Sequence, residues 1–335
     1  MNAIPTDKCD PSISKKIVKD PAVDPDALIS IIIPLKNEES SLRDLYSGIK
    51  NSLVAIGRKF EVVFIDDGST DGSFKVLNEL YQSEPDVVRV IQFRNNKGKA
   101  AALSAGFKLA CGEIIITMDA DLQDDPEEIP RFLEKLAEGS DLVTGWKKKR
   151  HDPWHKVLSS GIFNFVVSIA AGLKLHDHNC GFKAYRREVI EEIRIYGELH
   201  RYIPFLANSR GFKVQEIPIK HHARTTGVSK YGFGRHFKGF FDLFTVIMLT
   251  RFGRRPLHLF GAIGLTLFVI GLIINLWLTW IWIWGATIGQ RPLLFLGVLL
   301  LVVGVQMFSI GLLGEMINSM RPDDRGDNPI RRILK

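Results

Sequence analysis

The sequence predicts an α/β fold with a doubly wound, mostly parallel sheet, followed by interfacial amphipathic helices and a two-helix transmembrane hairpin. Three observations predict it. Short β-branched runs alternate with polar, helix-compatible stretches through the first half of the chain. Acidic clusters stand directly after several of those runs, at 37–39, 66–72 and 119–125. Two long apolar runs without acidic or basic residues close the chain.

The elements follow in order. Residues 1–27, with Pro5, Pro11, Pro21 and Pro25 among scattered charges, read as a flexible tail. ALISIIIPL (27–35) is a strand, and 40–56 a helix. FEVVFI (60–65) is the second strand and 73–82 the second helix. A third strand covers 87–93. The helix after it, 99–110, stops where Gly112 follows. A fourth strand at 113–118, a helix at 126–138 and a fifth strand at 141–144 complete the series. Ligands of such sheets bind beyond the carboxyl ends of the strands, where the polar clusters fall. A catalytic domain over 28–224 is the expectation. IFNFVVSIAAGL (162–173) reads equally as an interfacial helix or an ordinary core helix.

From 259 to 290 there is no Lys, Arg, Asp or Glu, which is longer than the roughly 20 residues that cross a bilayer. Arg291 and Pro292 interrupt, and a second apolar run ends before Glu315. Spans at about 259–284 and 293–315 are expected, within a membrane segment 257–316. Trp277, Trp280, Trp282 and Trp284 sit near the end of the first, where an aromatic belt belongs. Residues 225–256 mix aromatics with cations and read as juxtamembrane interfacial helices. Seven Lys or Arg between 224 and 255 face one acid, Asp242, whereas the link between the spans holds only Arg291. The positive-inside rule then places the catalytic domain and both termini, including the tail 317–335, in the cytoplasm of a multi-pass protein of the plasma (inner) membrane. No N-terminal apolar stretch suggests a cleaved signal.

A length of 335 residues suffices for a full core, and three cysteines without a CxxC pair argue against a disulfide scaffold or a four-thiolate zinc site. An HxHxC zinc site from His176, His178 and Cys180, with His221 and His222 beside it, is disfavoured for the same reason. The first strand is not followed by GxGxxG, and GxxxxGK[ST] occurs nowhere, which weakens the dehydrogenase and P-loop readings. In EIIITMDADLQDD, Asp119, Asp121 and Gln123 alternate along an extended chain and project to one side. Three oxygens aimed at one point suit Mg²⁺ or Mn²⁺, completed by substrate phosphates. Asp124 and Asp125, before Pro126, read as solvated or helix-start residues.

PLKNEE, FIDDGSTDGS, NNKGKAAALSAG and MDADLQDDP, in that order, resemble the family 2 glycosyltransferases of GT-A fold. GWKKKRHD, NCGFKAY and HHARTTGVSKYG narrow the resemblance to the polyprenyl-phosphate branch, which includes dolichol-phosphate mannose synthase and bacterial bactoprenol glucosyl transferases. It runs from about residue 28 to 318. The resemblance implies that Pro34, Lys36, Glu38, Asp67, Asp119 and Ala120 contact the nucleotide, with Asp67 accepting from the base. Lys36 departs from an aromatic common at its position. Asp119, Asp121 and Gln123 would hold the metal and diphosphate. Lys147, Arg150, Arg224, Ser229 and Lys230 would gather around the acceptor phosphate, with Arg150, Arg224 and Lys230 counted beside the two aspartates as catalytic. NCGFKAY is expected to form a loop over that phosphate.

The implied reaction moves one sugar, with inversion, from a nucleotide sugar to undecaprenyl or another polyprenyl phosphate. Glucose from UDP-glucose is the expectation, for a lipid-linked donor used in cell-surface glycan modification. The alternatives are GDP-mannose transfer to a dolichyl or polyprenyl phosphate, and a non-catalytic membrane-anchored nucleotide-sugar sensor. A processive polysaccharide synthase is disfavoured because no Arg-Trp dipeptide occurs and two spans cannot enclose a strand. Membrane lipids are expected partners, a separate flippase is expected to move the product, and no heptad pattern decides self-association. Nucleic acid is not an expected partner.

Overall fold

The computed structural model describes residues 24, 26–148, 172–177, 179–193, 199–222, 248, 252, 255–285, 287–288 and 291–320. The chain divides into two compact units, one built on a sheet and one on two long helices.

The sheet unit starts with β1 (Ile29–Leu35), α1 (Leu42–Ala55), β2 (Phe60–Asp66), α2 (Ser73–Ser83), β3 (Val88–Gln92), α3 (Lys99–Leu109) and β4 (Ile114–Thr117). The expected order and type of these elements are reproduced, with ends shifted by one or two residues. A 3₁₀ turn at Pro126–Glu128 leads into α4 (Ile129–Ala137), followed by β5 (Leu142–Lys147). Further on come β6 (Lys183–Arg186), α5 (Arg187–Glu192), a 3₁₀ turn (Leu199–Tyr202), α6 (Ile203–Ser209) and β7 (Val214–Ile219). The strand order is β3-β2-β1-β4-β6-β5-β7. The strands β3, β2, β1 and β4 run parallel, β6 is antiparallel to both β4 and β5, and β7 is parallel to β5.

The central parallel strands β1, β2 and β4 are buried on both faces, as parallel strands covered by helices must be. Ile29, Ile31 and Ile33 enter one core with Val62, Phe64 and the inner faces of α1, α2 and α4. Ile32, Val63 and Ile65 enter a second core with Ala102 and Leu103 of α3 and Ile203 of α6. One residue alternates with the next between these cores, so the strand register is fixed from both sides. Gly106 brings α3 onto the sheet, because a Cβ there would stand 2.6 Å from Ile32 Cγ2.

The helical unit is an antiparallel pair, α7 (Pro256–Ile283) and α8 (Pro292–Ser319), each 28 residues long. Both begin with proline, whose missing N–H costs nothing at a helix start. Their seam is glycine. A Cβ on Gly264 would lie 2.7 Å from the Gly304 carbonyl oxygen, and one on Gly271 would lie 2.8 Å from that of Gly297. Close backbone approach of this kind is how helices pack where apolar surface gains nothing by leaving lipid. Leucines, tryptophans and phenylalanines point outward instead, with Trp280 61% and Phe295 71% exposed. Glu315 of α8 accepts a hydrogen bond from Leu257 N at 3.4 Å, so a carboxylate meets the free N–H groups at the start of α7. Both helices are longer than the spans expected from the sequence, and both are long and apolar enough to cross a membrane.

The interfacial helices expected in 225–256 and 162–173, and both tails, lie outside the described residues or nearly so.

Candidate functional site

Three strand ends meet at the carboxyl edge of the sheet. Leu35 of β1 pairs with Asp66 of β2, and Ile32 pairs with Thr117 of β4, so residues 36–38, 66–67 and 119–121 emerge together. The first two loops are knitted to each other. Asn37, at φ 54, accepts from Thr70 N at 2.8 Å and its own N–H donates to Ser69 Oγ. Glu38 N donates to Ser73 Oγ at 2.9 Å, and Glu39 accepts from Gly72 N at 3.0 Å. Pro34 lies within β1 opposite Ile65.

Asp66 is fully buried and accepts from Ser69 N and from Gln92 Nε2. Asp67, expected to meet the nucleotide base, spends both carboxylate oxygens on backbone: Lys97 N donates at 2.6 Å and Gly98 N at 2.9 Å. It therefore holds the loop that leads into α3. Lys99 opens that helix, and its ammonium pairs with Asp119 Oδ1.

Asp119 keeps 31% of its side chain exposed. Burial would raise its carboxyl, but the ammonium groups of Lys99, Lys147 and Lys183 outweigh it and hold Asp119 down to about 2. Asp121 moves the other way, raised by burial and by the neighbouring Asp119 charge, while the Gln123 N–H opposes the rise. That N–H donates to Asp121 Oδ1 at 3.3 Å. Ala120 between them is buried. Among the described residues no three His, Cys, Asp or Glu side chains converge on one point. The DADLQ stretch thus offers two carboxylates and the Gln123 amide, hard oxygen donors that fit a divalent ion whose remaining positions go to phosphate and water.

Behind this stretch lies a buried ion pair. Lys147, the last residue of β5, stands 3.1 Å from Asp124, whose side chain is fully buried, and His221 Nδ1 is 3.9 Å from the same carboxylate. Burial disfavours the Lys147 charge, yet Asp124 with Cys180 and Asp119 raises it above the ordinary lysine value. The expectation that Asp124 is solvated is corrected here: it is the counter-charge of Lys147. Asp125 does start a helix, accepting from Glu127 N at 2.9 Å, and it also meets His222 Nε2 at 3.3 Å. A bridge between Asp124 and His221, with His222 N donating to Gln123 O, ties the chain leaving β7 to the DADLQ stretch.

The segment expected as a loop over the acceptor phosphate is corrected as well. Lys183–Arg186 is a strand, inserted antiparallel between β4 and β5. Gly181 lies against Asp119, where a Cβ would stand 2.5 Å from Oδ2. Thr117 Oγ1 donates to the Gly181 carbonyl at 2.8 Å. Lys183, only 3% exposed, donates to the Cys180 carbonyl. Burial, with Lys99 nearby, lowers it from the ordinary lysine value. The Cys180 thiol is pushed up to about 12 by burial and the Asp124 charge, so it is no nucleophile. Burial beside Lys99, Arg201 and Lys183 drives His200 down to about 2, a neutral imidazole at any physiological pH. His176 stacks on Trp146 with ring centroids 4.0 Å apart and pairs with Glu216.

The structure therefore brings together Asp119, Asp121, Gln123 and Lys147, with Lys36, Glu38 and Asp67 on the adjoining strand ends. Arg150, Arg224, Ser229 and Lys230 lie outside the described residues. Lys99, Lys183 and His200, which line one small cavity beside Asp119, have no role of their own in the sequence reading. The one available signal was the lysine directly after Gly98, at the start of a helix whose free end faces the strand ends.

The family model described as glycosyl transferase family 2 matches residues 30–194. The chain is 37% identical over 315 residues to the dodecaprenyl-phosphate galacturonate synthase of Rhizobium johnstonii, covering 91% of this chain and 92% of that one. It is 35% identical over 300 residues to the undecaprenyl-phosphate 4-deoxy-4-formamido-L-arabinose transferase of Pseudomonas aeruginosa, covering 89% and 87%. Among solved structures, glucosyl-3-phosphoglycerate synthase from Mycobacterium tuberculosis, in complex with Mn²⁺, UDP and phosphoglyceric acid, is similar with a TM-score of 0.52. That match has 16% identity over 66% of this chain and 78% of that one, a likeness of fold.

Proposed function

The chain belongs to glycosyl transferase family 2, and from that membership we propose that it moves one sugar from a nucleotide-sugar donor to a polyprenyl phosphate at a membrane surface. The observation that carries the reading is the pair Asp119 and Asp121 at the end of β4, set among the ammonium groups of Lys99, Lys147 and Lys183. Negative charge grows on the departing diphosphate during sugar transfer, and preorganised cations are what stabilise it. Asp119, Asp121 and Gln123 would hold a divalent ion, Mg²⁺ or Mn²⁺, which supplies further charge stabilisation when bound. Glucosyl-3-phosphoglycerate synthase, similar in fold, was solved in complex with Mn²⁺ and UDP, which is in keeping with this assignment.

A phosphate monoester has its second pKa near 6 and is mostly dianionic at pH 7. It attacks without a general base, in contrast to a sugar hydroxyl. The site agrees with that economy, since His200 is neutral but buried and Asp124 is committed to Lys147. We assign Arg150, Arg224, Ser229 and Lys230 to the acceptor phosphate. Arg224 follows two residues after His222, which is hydrogen-bonded to the DADLQ stretch. The cations of 224–255 favour a catalytic unit on the cytoplasmic side, with a separate flippase carrying the lipid-linked product across.

The sugar is the finer question. The relatives name galacturonate and 4-deoxy-4-formamido-L-arabinose, and neither names the glucose expected from the sequence. The deciding experiment offers the purified full-length chain labelled UDP-glucose, UDP-galacturonate, UDP-4-deoxy-4-formamido-L-arabinose and GDP-mannose, with undecaprenyl phosphate in detergent, with and without EDTA. Label in the organic phase from one donor, lost on chelation, is expected and names the sugar. Absence of lipid product from every donor in protein that still binds UDP would leave the sensor reading in its place.

A further inference from the structure

Lys99 and a divalent ion have the same address. The Lys99 ammonium pairs with Asp119 Oδ1, and Asp119 is the first oxygen donor of the proposed metal site. The positive charge around this carboxylate is in excess. Lys183 is 3% exposed, donates to the Cys180 carbonyl and has no carboxylate within ion-pair distance among the described residues. The small cavity beside Gly181 is lined by Lys99, Lys183, Thr117, Tyr185 and His200, and among the described residues no acidic one lines it.

Two cations on one carboxylate repel each other, and in a partly buried setting that repulsion is weakly screened. A nucleoside diphosphate changes the balance. Its phosphate oxygens would give Lys99 another anionic partner and release the carboxylate to the ion. We propose that Lys99 couples the two ligands, weakening the site for a divalent ion alone and strengthening it for the ion together with a nucleoside diphosphate. The inference rests on the reading of this edge as a metal and nucleotide-sugar site. Linkage requires that the factor by which UDP tightens Mn²⁺ binding equal the factor by which Mn²⁺ tightens UDP binding. Lys99 is thus a positioning residue for the donor and a selector against the bare ion.

The test uses the purified full-length chain in detergent, as wild type, Lys99→Met and Lys99→Arg. Mn²⁺ binding alone is read from the electron paramagnetic resonance of the free ion, and UDP binding by calorimetry with and without Mn²⁺. In Lys99→Met, Mn²⁺ alone should bind about fivefold tighter or more, the low end of ordinary coupling factors. UDP in the presence of Mn²⁺ should bind correspondingly weaker, and the coupling factor should shrink. Lys99→Arg, which keeps the charge, should stay near wild type on both measures. Unchanged or weaker Mn²⁺ binding in Lys99→Met overturns the coupling, as does equal loss for both ligands, which a structural role would give. Wild-type protein that fails to bind Mn²⁺ and UDP together would overturn the site reading, and the coupling with it.

Discussion

Asp124→Ala strips the nearest counter-charge from a largely buried lysine. Lys147 is 16% exposed and Asp124 not at all, so the ammonium would remain in a poorly solvated pocket. Removing one partner of a buried pair costs about 3–5 kcal/mol, because the surviving charge is left uncompensated. For a domain of this size each kcal/mol moves the unfolding midpoint by roughly 2–4 °C, which gives a fall of about 6–20 °C. The midpoint is read on full-length protein in detergent by labelling of Cys180, 2% exposed in the fold, with a thiol-reactive dye. The Lys147 value is raised above its ordinary 10.5, so the stabilisation is complete below that pH and fades only as pH climbs beyond it. The pair's contribution in the wild type should therefore be the same at pH 6 and pH 9. Replacing both partners, as Asp124→Leu with Lys147→Met, should recover most of the loss, since an apolar pair needs no solvation. A single variant within about 2 °C of wild type, or a double variant as unstable as the single, would refute the account.

Other outcomes follow from the same geometry. Gly181→Ala puts a methyl 2.5 Å from Asp119 Oδ2, so the carboxylate must turn; the Mn²⁺ concentration for half-maximal turnover should rise at least tenfold (about 1.4 kcal/mol) with the unfolding midpoint little changed, and an unaltered metal titration would remove Gly181 from the support of Asp119. Gly304→Val drives a branched side chain into Phe268 N, 2.7 Å from where its Cβ would sit, and should separate α7 from α8, read as a lower thermal midpoint of the far-ultraviolet helical signal of the full-length protein, with an unchanged midpoint dismissing the seam. Lys50, 2.7 Å from Glu84, holds that carboxyl below its ordinary 4.5, so the pair contributes above pH 4.5 and is lost as pH falls through the folded value. Lys50→Met should therefore narrow the stability difference between pH 7 and pH 3, and an unchanged difference would dismiss the pair.

The alternating strands were legible because burial on both faces forces continuous β-branched runs such as ISIIIPL and FEVVFID, and length separates them from the helices between. The apolar helices were legible for a similar reason, although their ends were not: Pro256 and Leu257 enter the helix beside Glu315, a contact no local pattern announces. Strand β6 escaped because KAYR carries two charged residues, and its place between β4 and β5 is set by tertiary pairing rather than by propensity. At the site, spacing two along an extended chain announced Asp119 and Asp121. The partner of Asp124 lies 23 residues away on another strand, and that of Asp67 is backbone some 30 residues on, so neither role has a local signature.

The glycines of the α7–α8 seam recur every seven residues, at 264 and 271 on one helix and at 297, 304 and 311 on the other. Adding or deleting one residue turns everything beyond it by about 100°, which would bring Leu, Val or Phe against backbone now 2.7–2.8 Å from a glycine's absent methyl. The helical pair is consequently intolerant of single-residue changes in length. It can be lengthened or shortened only in steps of seven, roughly 10 Å each, which is a third of the hydrocarbon thickness of a bilayer. In a bilayer, gradual adjustment to a thicker or thinner membrane would be closed to such a hairpin. It would have to tilt, or sink its tryptophan end deeper, and keep the length at which its seam closes.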